Sequence, residues 1–318
     1  MGTPSTPWPA FAHANALEPH HRHLEPCPAA SAYPRIACRY ATPTGITWDI
    51  TIADNHSTDD TAAMVKSMVP RLDGRLQYLY EARQGKSFAL NTALAQTKGD
   101  WVLFLDDDVK VSPGLLVAYE QGLSHHPRAT VMGGAIEPWV PDGENFSEIQ
   151  RWLLDHYPAC FGRLPLEADM VMHPPAISAW GANMLIHRLA IPPQGFNTDK
   201  GMVAGRRIAG EDVGMVIHVL NSSGGEGWLI AHATVMHHTP PGMVTWKRLW
   251  QWQRAIGAGW TDSRGRPSPG KFGVPWWAYD EMLRRGFRML IRWRPSPTRE
   301  FGDAFVAAAQ WWGYLKNG

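Results

Sequence analysis

The stretch "GDWVLFLDDDVKV", Gly99 to Val111, runs through five apolar residues, Trp101 to Leu105, and then three carboxylates, Asp106, Asp107 and Asp108. A short, unbroken apolar run bounded by polar residues reads as a strand buried on both faces. Crowded carboxylates repel one another and resist burial without a positive partner. At the mouth of such a strand they admit three readings: a bound cation, a substrate, or a solvated turn. Side chains i and i+2 of an extended segment share a face, so Asp106 and Asp108 point together while Asp107 points away. Two hard oxygen ligands on one face suit Mg2+ or Mn2+, commonly shared with a phosphate.

Working outward, "ITWDITIAD" (46–54) and "LQYLYEA" (76–82) read as strands, and Thr61 to Met68 and "GKSFALNTALAQTK" (85–98) as helices. "SPGLLVAYEQGLSHHP" (112–127) reads as a helix with Ser112 as N-cap and Pro113 at its first position. "ATVMGGAIEP" (129–138) is another strand, and from Pro138 to Ala179 the chain reads as irregular and proline-punctuated. "GEDVGMVIHVLNSSGG" (210–225) and "TWKRLWQWQRAIGAG" (245–259) read as helices. Strands and helices alternating at short spacing predict an α/β fold, with a Rossmann-like, mostly parallel central sheet flanked by helices. Ligands of such sheets bind beyond the carboxyl ends of the strands. Three successive strand ends carry polar, small or charged groups: Asp54 with Ser57 and Asp59, Gly85 with Lys86 and Asn91, and the three aspartates. That pattern predicts a nucleotide pocket. Downstream, Glu211 and Asp212 open a helix, where the dipole favours acids in any case, and His237 and His238 follow a short strand-like run.

Bulk properties narrow the class. The 318 residues carry 30 Lys and Arg against 29 Asp and Glu, so no nucleic-acid partner is expected. Cys27, Cys38 and Cys160 have neither metal-ligand spacing nor an even count, which makes a reducing, cytoplasmic setting the default. No apolar run is long enough to span a membrane, and the first residues do not read as a secretory signal. "MGTPST" fits a myristoylation pattern too short to carry weight.

Taken in order, the turn Asp54 to Asp59, the "GK…N" helix, the "DDD" strand end, "WGANMLIHR" (180–188), "GEDVGM" (210–215) and "VMHHTPP" (235–241) resemble a family 2 glycosyltransferase of the GT-A fold, over roughly residues 46 to 260. The resemblance implies an inverting transfer of a sugar from a nucleotide-diphosphate sugar to a hydroxyl acceptor. In the family's D-x-D pattern, Asp108 would coordinate the divalent metal and Asp106 the metal or the donor ribose. Asp54 would bind the base, with Ser57, Asp59, Lys86, Asn91 and Asp107 around the nucleotide. Gly181 and Asn183, within Trp180 to Met184, would lie under donor sugar and acceptor. Asp212 would be the catalytic base, with Glu211 beside it at the acceptor site. His237 would be a further metal ligand, with His238 left as an alternative. The acceptor would be a glycan or a lipid-linked glycan, in cell-envelope or extracellular glycan synthesis. The competing reading is a sugar-nucleotide-binding protein without catalysis.

The chain departs from the family at its start. No apolar strand and P-T-x-N turn precede Ile46, and residues 1–45, dense in Pro, Ala and His with a cluster at His20, His21 and His23, read as an irregular tail: either an N-terminal extension that folds in some unusual way or, as the composition favours, an out-of-frame translation. On that reading the sheet has an open edge where the first strand should be. "QWQR" (251–254) resembles the Q-x-x-R-W motif of processive members, but Ala255 stands in the tryptophan's place. Residues 261–318 read as an amphipathic helical extension. Within it, "WWAYDEMLRRGFRMLIRWR" (276–294) sets Trp276, Trp277, Leu283, Phe287, Leu290 and Ile291 against five arginines. Such a helix can lie in an anionic interface, which predicts peripheral attachment at the inner face of the plasma membrane.

Overall fold

The computed structural model describes residues 10–15, 46–199, 201–203, 206–208, 211–258, 280, 284 and 298–317, and the backbone alone at 10–15, 201–203, 206–208, 258 and 315–317. The chain divides into two compact units, Met1–Glu137 with Pro165–His237, and Pro138–Leu164 with His238–Gly318.

The first unit is built on a sheet. Its strands are β1 (Ala10–Asn15), β2 (Asp49–Asp54), β3 (Leu76–Tyr80), β4 (Trp101–Leu105), β5 (Val109–Val111), β6 (Ala129–Trp139), β7 (Met170–Val171), β8 (Met184–His187) and β11 (Glu226–His238). Its helices are α1 (Thr61–Met68), α2 (Lys86–Gln96), α3 (Leu115–His125) and α5 (Glu211–Ser223); α4 (Glu148–His156) belongs to the second unit. A separate hairpin pairs β9 (Gly201–Val203) with β10 (Arg206–Ile208). The sheet order is β3-β2-β1-β4-β8-β6-β11-β5, with β7 on β11. The run β3-β2-β1-β4 is parallel, joined through α1 and α2, and the pairs β4–β8, β8–β6 and β11–β5 are antiparallel. Val102, Leu103 and Phe104 are at most 1% exposed, as a strand covered on both faces requires.

One expectation is overturned here. The segment read as an irregular tail supplies β1, which lies between β2 and β4 with Asn15 opposite Asp54 and His13 opposite Leu105. The sheet has no open edge at that place. "AFAHAN" lacks the β-branched residues that mark a strand, and pairing from both sides, not propensity, puts it there. Residues 16–45, with Cys27, Cys38 and the histidine cluster, lie outside the described residues.

Local chemistry fixes the loops at the strand ends. Asn55 donates to the Arg83 carbonyl (2.6 Å) and accepts from the Gly85 N–H (2.7 Å), tying the turn after β2 to the start of α2. Gly85 has φ 137°, a region closed to other residues at little cost. Glu81, 6% exposed, accepts from Arg83 through its backbone N–H (2.8 Å), Nε (2.8 Å) and Nη2 (2.7 Å), and from the Thr92 hydroxyl. The Arg83 hydrogen bonds, outweighing burial and helped by Thr92, hold its carboxyl down at about 2, against an ordinary 4.5. A carboxylate with a depressed folded pKa adds stability above its unfolded pKa and loses it as pH falls through the folded one. Wild type is therefore expected to lose its melting-temperature advantage over Glu81→Gln between pH 4.5 and about 2, in paired thermal melts.

The helix after the acid cluster starts later than expected. Its N-cap is Gly114, not Ser112. The Ser112 N–H bonds the Thr234 carbonyl (3.1 Å), extending the β5–β11 ladder by one residue, so the chain is still sheet where the cap was placed.

The second unit holds α4 (Glu148–His156), α6 (Trp246–Ala258) and α7 (Arg299–Asn317). The expectation of irregular chain from 138 to 179 missed α4, although its sequence signal is present: Ser147 and Gln150 form a reciprocal capping box. Leu153, Leu154, Tyr157, Cys160, Phe161, Val244 and Leu249 form the core, with Trp152, Trp246, Trp252 and Phe305 packed against it. The tryptophans of α6 thus face protein: Trp246 and Trp250 meet Phe305 at centroid distances of 5.1 and 5.3 Å. The Gly257 position lies 1.7 Å, Cβ to oxygen, from the Gln310 carbonyl, so α6 and α7 approach too closely there for any side chain. Burial pushes the Cys160 thiol up to about 11, which leaves it unreactive. Of the basic stretch 276–294 only Asp280 and Arg284, an ion pair, fall among the described residues. Among the described residues no helix is long and apolar enough to cross a membrane.

Candidate active site

The acid cluster forms at the end of β4, and register brings the histidine to it. β11 pairs antiparallel with β5, setting His237 opposite Val109, next in sequence to Asp108. His237 Nε2 lies 3.4 Å from Asp108 Oδ2, and one ligand atom from each of Asp106, Asp108 and His237 fits within a span of 4.8 Å. Asp107 is exposed and outside this group; it and Asp108 form a turn between β4 and β5, so the alternation expected of an extended segment does not apply there. Alternation along β11 separates the two histidines: the His238 ring packs on Trp139 at 5.0 Å. Two carboxylates and an imidazole are a donor set that fits Mn2+ or Mg2+. Desolvation, with the neighbouring Asp106 charge, pushes the Asp108 carboxyl up, against the pull of His237 and Lys86.

Lys86, at the first position of α2, donates to Asp106 Oδ1 at 2.6 Å. Desolvation works against its charge, but Asp106, Asp212 and Glu211 outweigh it and hold the ammonium well above its ordinary pKa. Lys86 is the point at which carboxylates from residues 106, 211 and 212 come into one electrostatic neighbourhood. Asp212, in the first turn of α5, accepts from the Gly181 N–H through Oδ2 (2.9 Å), while its Oδ1 is out of contact with solvent and without a hydrogen-bond partner. A Cβ on residue 181 would stand 2.8 Å from that Oδ1, so glycine lets the backbone approach the carboxylate.

The other sequence-assigned residues fall differently. Asp54 is 1% exposed, and both its oxygens are engaged: Oδ1 accepts from the Ser57 N–H (2.9 Å) and Oδ2 from the Tyr78 hydroxyl (2.6 Å). Burial pushes its carboxyl up, but these hydrogen bonds outweigh it and leave it below the usual carboxylate range. Burial first, and the bond to Asp54 next, push Tyr78 up to about 12, so it remains the donor. Asp59 lies just before α1, whose N-cap is Asp60, and accepts from the Thr61 N–H (3.0 Å) and hydroxyl (2.5 Å). Asn91 is turned to the protein: it accepts from the Phe196 N–H (2.7 Å) and donates to the Phe196 carbonyl (2.9 Å).

Asn183 departs furthest from its expected place under a sugar. It is fully buried, accepts from the Tyr119 hydroxyl (2.7 Å), and donates to the carbonyls of Ala233 (2.8 Å) and Ala135 (3.1 Å). Its amide is saturated inside the protein, so it stitches β6, β8's approach and β11 together and does not reach a ligand. Asn183→Leu would remove three buried hydrogen bonds and leave the Tyr119 hydroxyl only its longer one to the residue 183 carbonyl (3.4 Å). The expected cost is about 3 kcal/mol, a fall in melting temperature of about 6–12 °C, read by calorimetry.

Sequence reasoning missed Asn55 and Tyr78. Asn55 stands inside the quoted turn and could have been found as a polar residue one place past a buried strand end. Tyr78 carries no signal, because "LQYLY" reads simply as a half-buried strand.

Residues 37–170 match the family model described as glycosyl transferase family 2. The match covers less than half of the chain, and the sheet around it is mixed α/β. That match includes Asp54, Lys86, Asp106 and Asp108 and stops short of Gly181, Asp212 and His237. No curated protein matches the chain in sequence. Among solved structures, it is similar to TarS 1-349 of S. aureus (13% identity, TM-score 0.46, 78% of this chain and 64% of that one). It is also similar to the mannosyltransferase PcManGT of Pyrobaculum calidifontis in complex with GDP-Man and Mn2+ (15%, TM-score 0.49, 95% and 69%). A third is a mycobacterial protein (15%, TM-score 0.46, 83% and 76%). The chain spans just under two thirds of the TarS fragment.

Proposed function

We propose that this protein is an inverting, metal-dependent glycosyltransferase that moves a sugar from a nucleotide-diphosphate sugar to a hydroxyl acceptor. The observation that supports the reading is the cluster of Asp106, Asp108 and His237, with Lys86, bonded to Asp106, also under the charges of Asp212 and Glu211. Asp106, Asp108 and His237 would hold the cation, which when bound stabilises negative charge on the departing diphosphate. Asp212 would receive the acceptor's proton, with the Gly181 N–H fixing the carboxylate through Oδ2. Lys86 holds Asp106 in place and adds positive charge beside the diphosphate. One base and no second carboxylate in the role of nucleophile correspond to a single displacement, hence inversion at the sugar carbon.

The reading extends to location. The basic, tryptophan-bearing stretch 276–294 supports a cytoplasmic protein held at the inner face of the plasma membrane, acting in cell-envelope or extracellular glycan synthesis. Binding to anionic vesicles that weakens with salt, and no binding to neutral ones, is the expected co-sedimentation result.

The test of function is a thermal-shift screen of nucleotide sugars, with Mn2+ and without it. One nucleotide class should stabilise the chain with Mn2+, and by mass action a ligand at about 100 times its Kd adds about 2.7 kcal/mol. Turnover should then release the nucleoside diphosphate. Metal-dependent binding without release in the presence of any acceptor would favour the non-catalytic alternative.

A further inference from the structure

Lys86 stands where local chemistry disfavours it. It is the first residue of α2, whose first turn carries no acid, and the positive end of a helix dipole opposes a cation. The turn that puts it there is fixed, since Asn55 accepts from the Gly85 N–H at 2.7 Å. A residue set against a local rule points to a functional demand from farther off. Here the demand comes from carboxylates: Asp106 at 2.6 Å, and the charges of Asp212 and Glu211. The Lys86 side chain is 16% exposed and that of Asp106 25%, so water screens the pair poorly.

The same ammonium bears on the candidate cation site. Asp106 is one of the three ligands that fit within a span of 4.8 Å, and the Lys86 charge also acts on Asp108. A divalent ion at these ligands would share Asp106 with Lys86, and two cations on one carboxylate repel each other strongly where screening is poor. A lysine ammonium is a point charge on a flexible stem, so it can leave one anion for another. A diphosphate is such an anion. It offers Lys86 a new partner, releases Asp106, and brings oxygens that a hard divalent ion takes as ligands.

We propose that Lys86 makes cation binding conditional on the nucleotide: through Asp106 it weakens the hold of Asp106, Asp108 and His237 on a divalent ion, and a nucleoside diphosphate lifts that restraint by taking Lys86 as its own partner. This rests on the glycosyltransferase reading and deepens it. The coupling is reciprocal, so the ion strengthens diphosphate binding by the same factor. Lys86 is a positioning residue in this account, acting on the ion through Asp106.

The experiment uses the full chain at about pH 8, above the ordinary carboxylate and imidazole range. Unbound Mn2+ is counted by electron paramagnetic resonance, without nucleotide, for wild type, Lys86→Met, Lys86→Gln and Lys86→Arg. Both neutral variants should bind Mn2+ about tenfold more tightly than wild type, or about 1.4 kcal/mol. Lys86→Arg, which keeps the charge, should stay within about threefold of wild type. A damaged fold would weaken binding, so the expected gain is not open to that explanation, and Lys86→Gln carries the comparison if Lys86→Met does not fold. UDP, GDP, ADP, CDP and dTDP are then titrated by calorimetry with Mn2+ and with EDTA. The factor by which Mn2+ strengthens diphosphate binding should be about tenfold smaller in Lys86→Met than in wild type. The inference is overturned if neither neutral variant gains Mn2+ affinity, if Lys86→Arg gains as much as they do, or if that factor is the same with and without Lys86. Any of these results, with a diphosphate bound by wild type, defeats this inference alone; a wild type that binds none of the five diphosphates defeats the function beneath it as well.

Discussion

Asp212→Asn should reduce sugar transfer by about 10²–10⁴-fold while nucleotide binding and melting temperature stay close to wild type. The substitution keeps the size of the side chain and an oxygen for the Gly181 N–H, so the bond at 2.9 Å can persist. It removes the basic lone pair from Oδ1, the atom that has no partner of its own. Position, not charge alone, makes this carboxylate the candidate. Glu211 is next to it but lines a cavity between α5 and the loop 192–198, whereas Asp212 is fixed by a backbone donor. The check is a measurement of kcat and of the donor's KM. Unchanged kcat in Asp212→Asn would remove the base from this residue; a loss carried entirely in donor KM would make it a binding group.

The second large effect concerns the cation. Asp108→Ala should abolish metal-stimulated nucleotide binding and lower transfer about a thousandfold, and chelation of wild type with EDTA should do the same, reversibly on adding Mn2+. Asp108 is the member of the cluster that meets His237, so its removal takes one ligand and frees another. Asp107→Ala, on the adjacent exposed side chain, should change neither property by more than a small factor. Equal effects at 107 and 108 would mean that the cluster acts through bulk charge and not through ligation.

How much of this was legible in the sequence depended on what each residue answers to. The strand Trp101–Leu105 and the helices 61–68, 86–96 and 211–223 follow from local pattern, and they lie where pattern puts them. The pairing of Asp106 with Asp108 was expected from the period of an extended chain, but residues 107 and 108 form a turn, and the fold, not that period, brings the two together; alternation along β11 does separate His237 from His238. β1 was not legible, because "AFAHAN" becomes a strand only by pairing with β2 and β4 on either side. Asn91 and Asn183 misled for the opposite reason. Each belongs to a family motif and suits a ligand, but an amide also satisfies buried backbone, and only the fold reveals which groups stand opposite. Asn91 meets Phe196, 105 residues away, and Asn183 meets Ala135 and Ala233. Lys86 was expected beside a nucleotide; its link to Asp106 needed the two strand ends side by side.

The central claim is that His237 joins Asp106 and Asp108 at one cation. Pulsed electron paramagnetic resonance of Mn2+ on the full chain, with ¹⁵N-labelled histidine, reads it directly. The account predicts a single directly bonded imidazole nitrogen that disappears in His237→Gln and persists in His238→Gln. A manganese spectrum with no nitrogen coupling, or one that survives in His237→Gln, would contradict it.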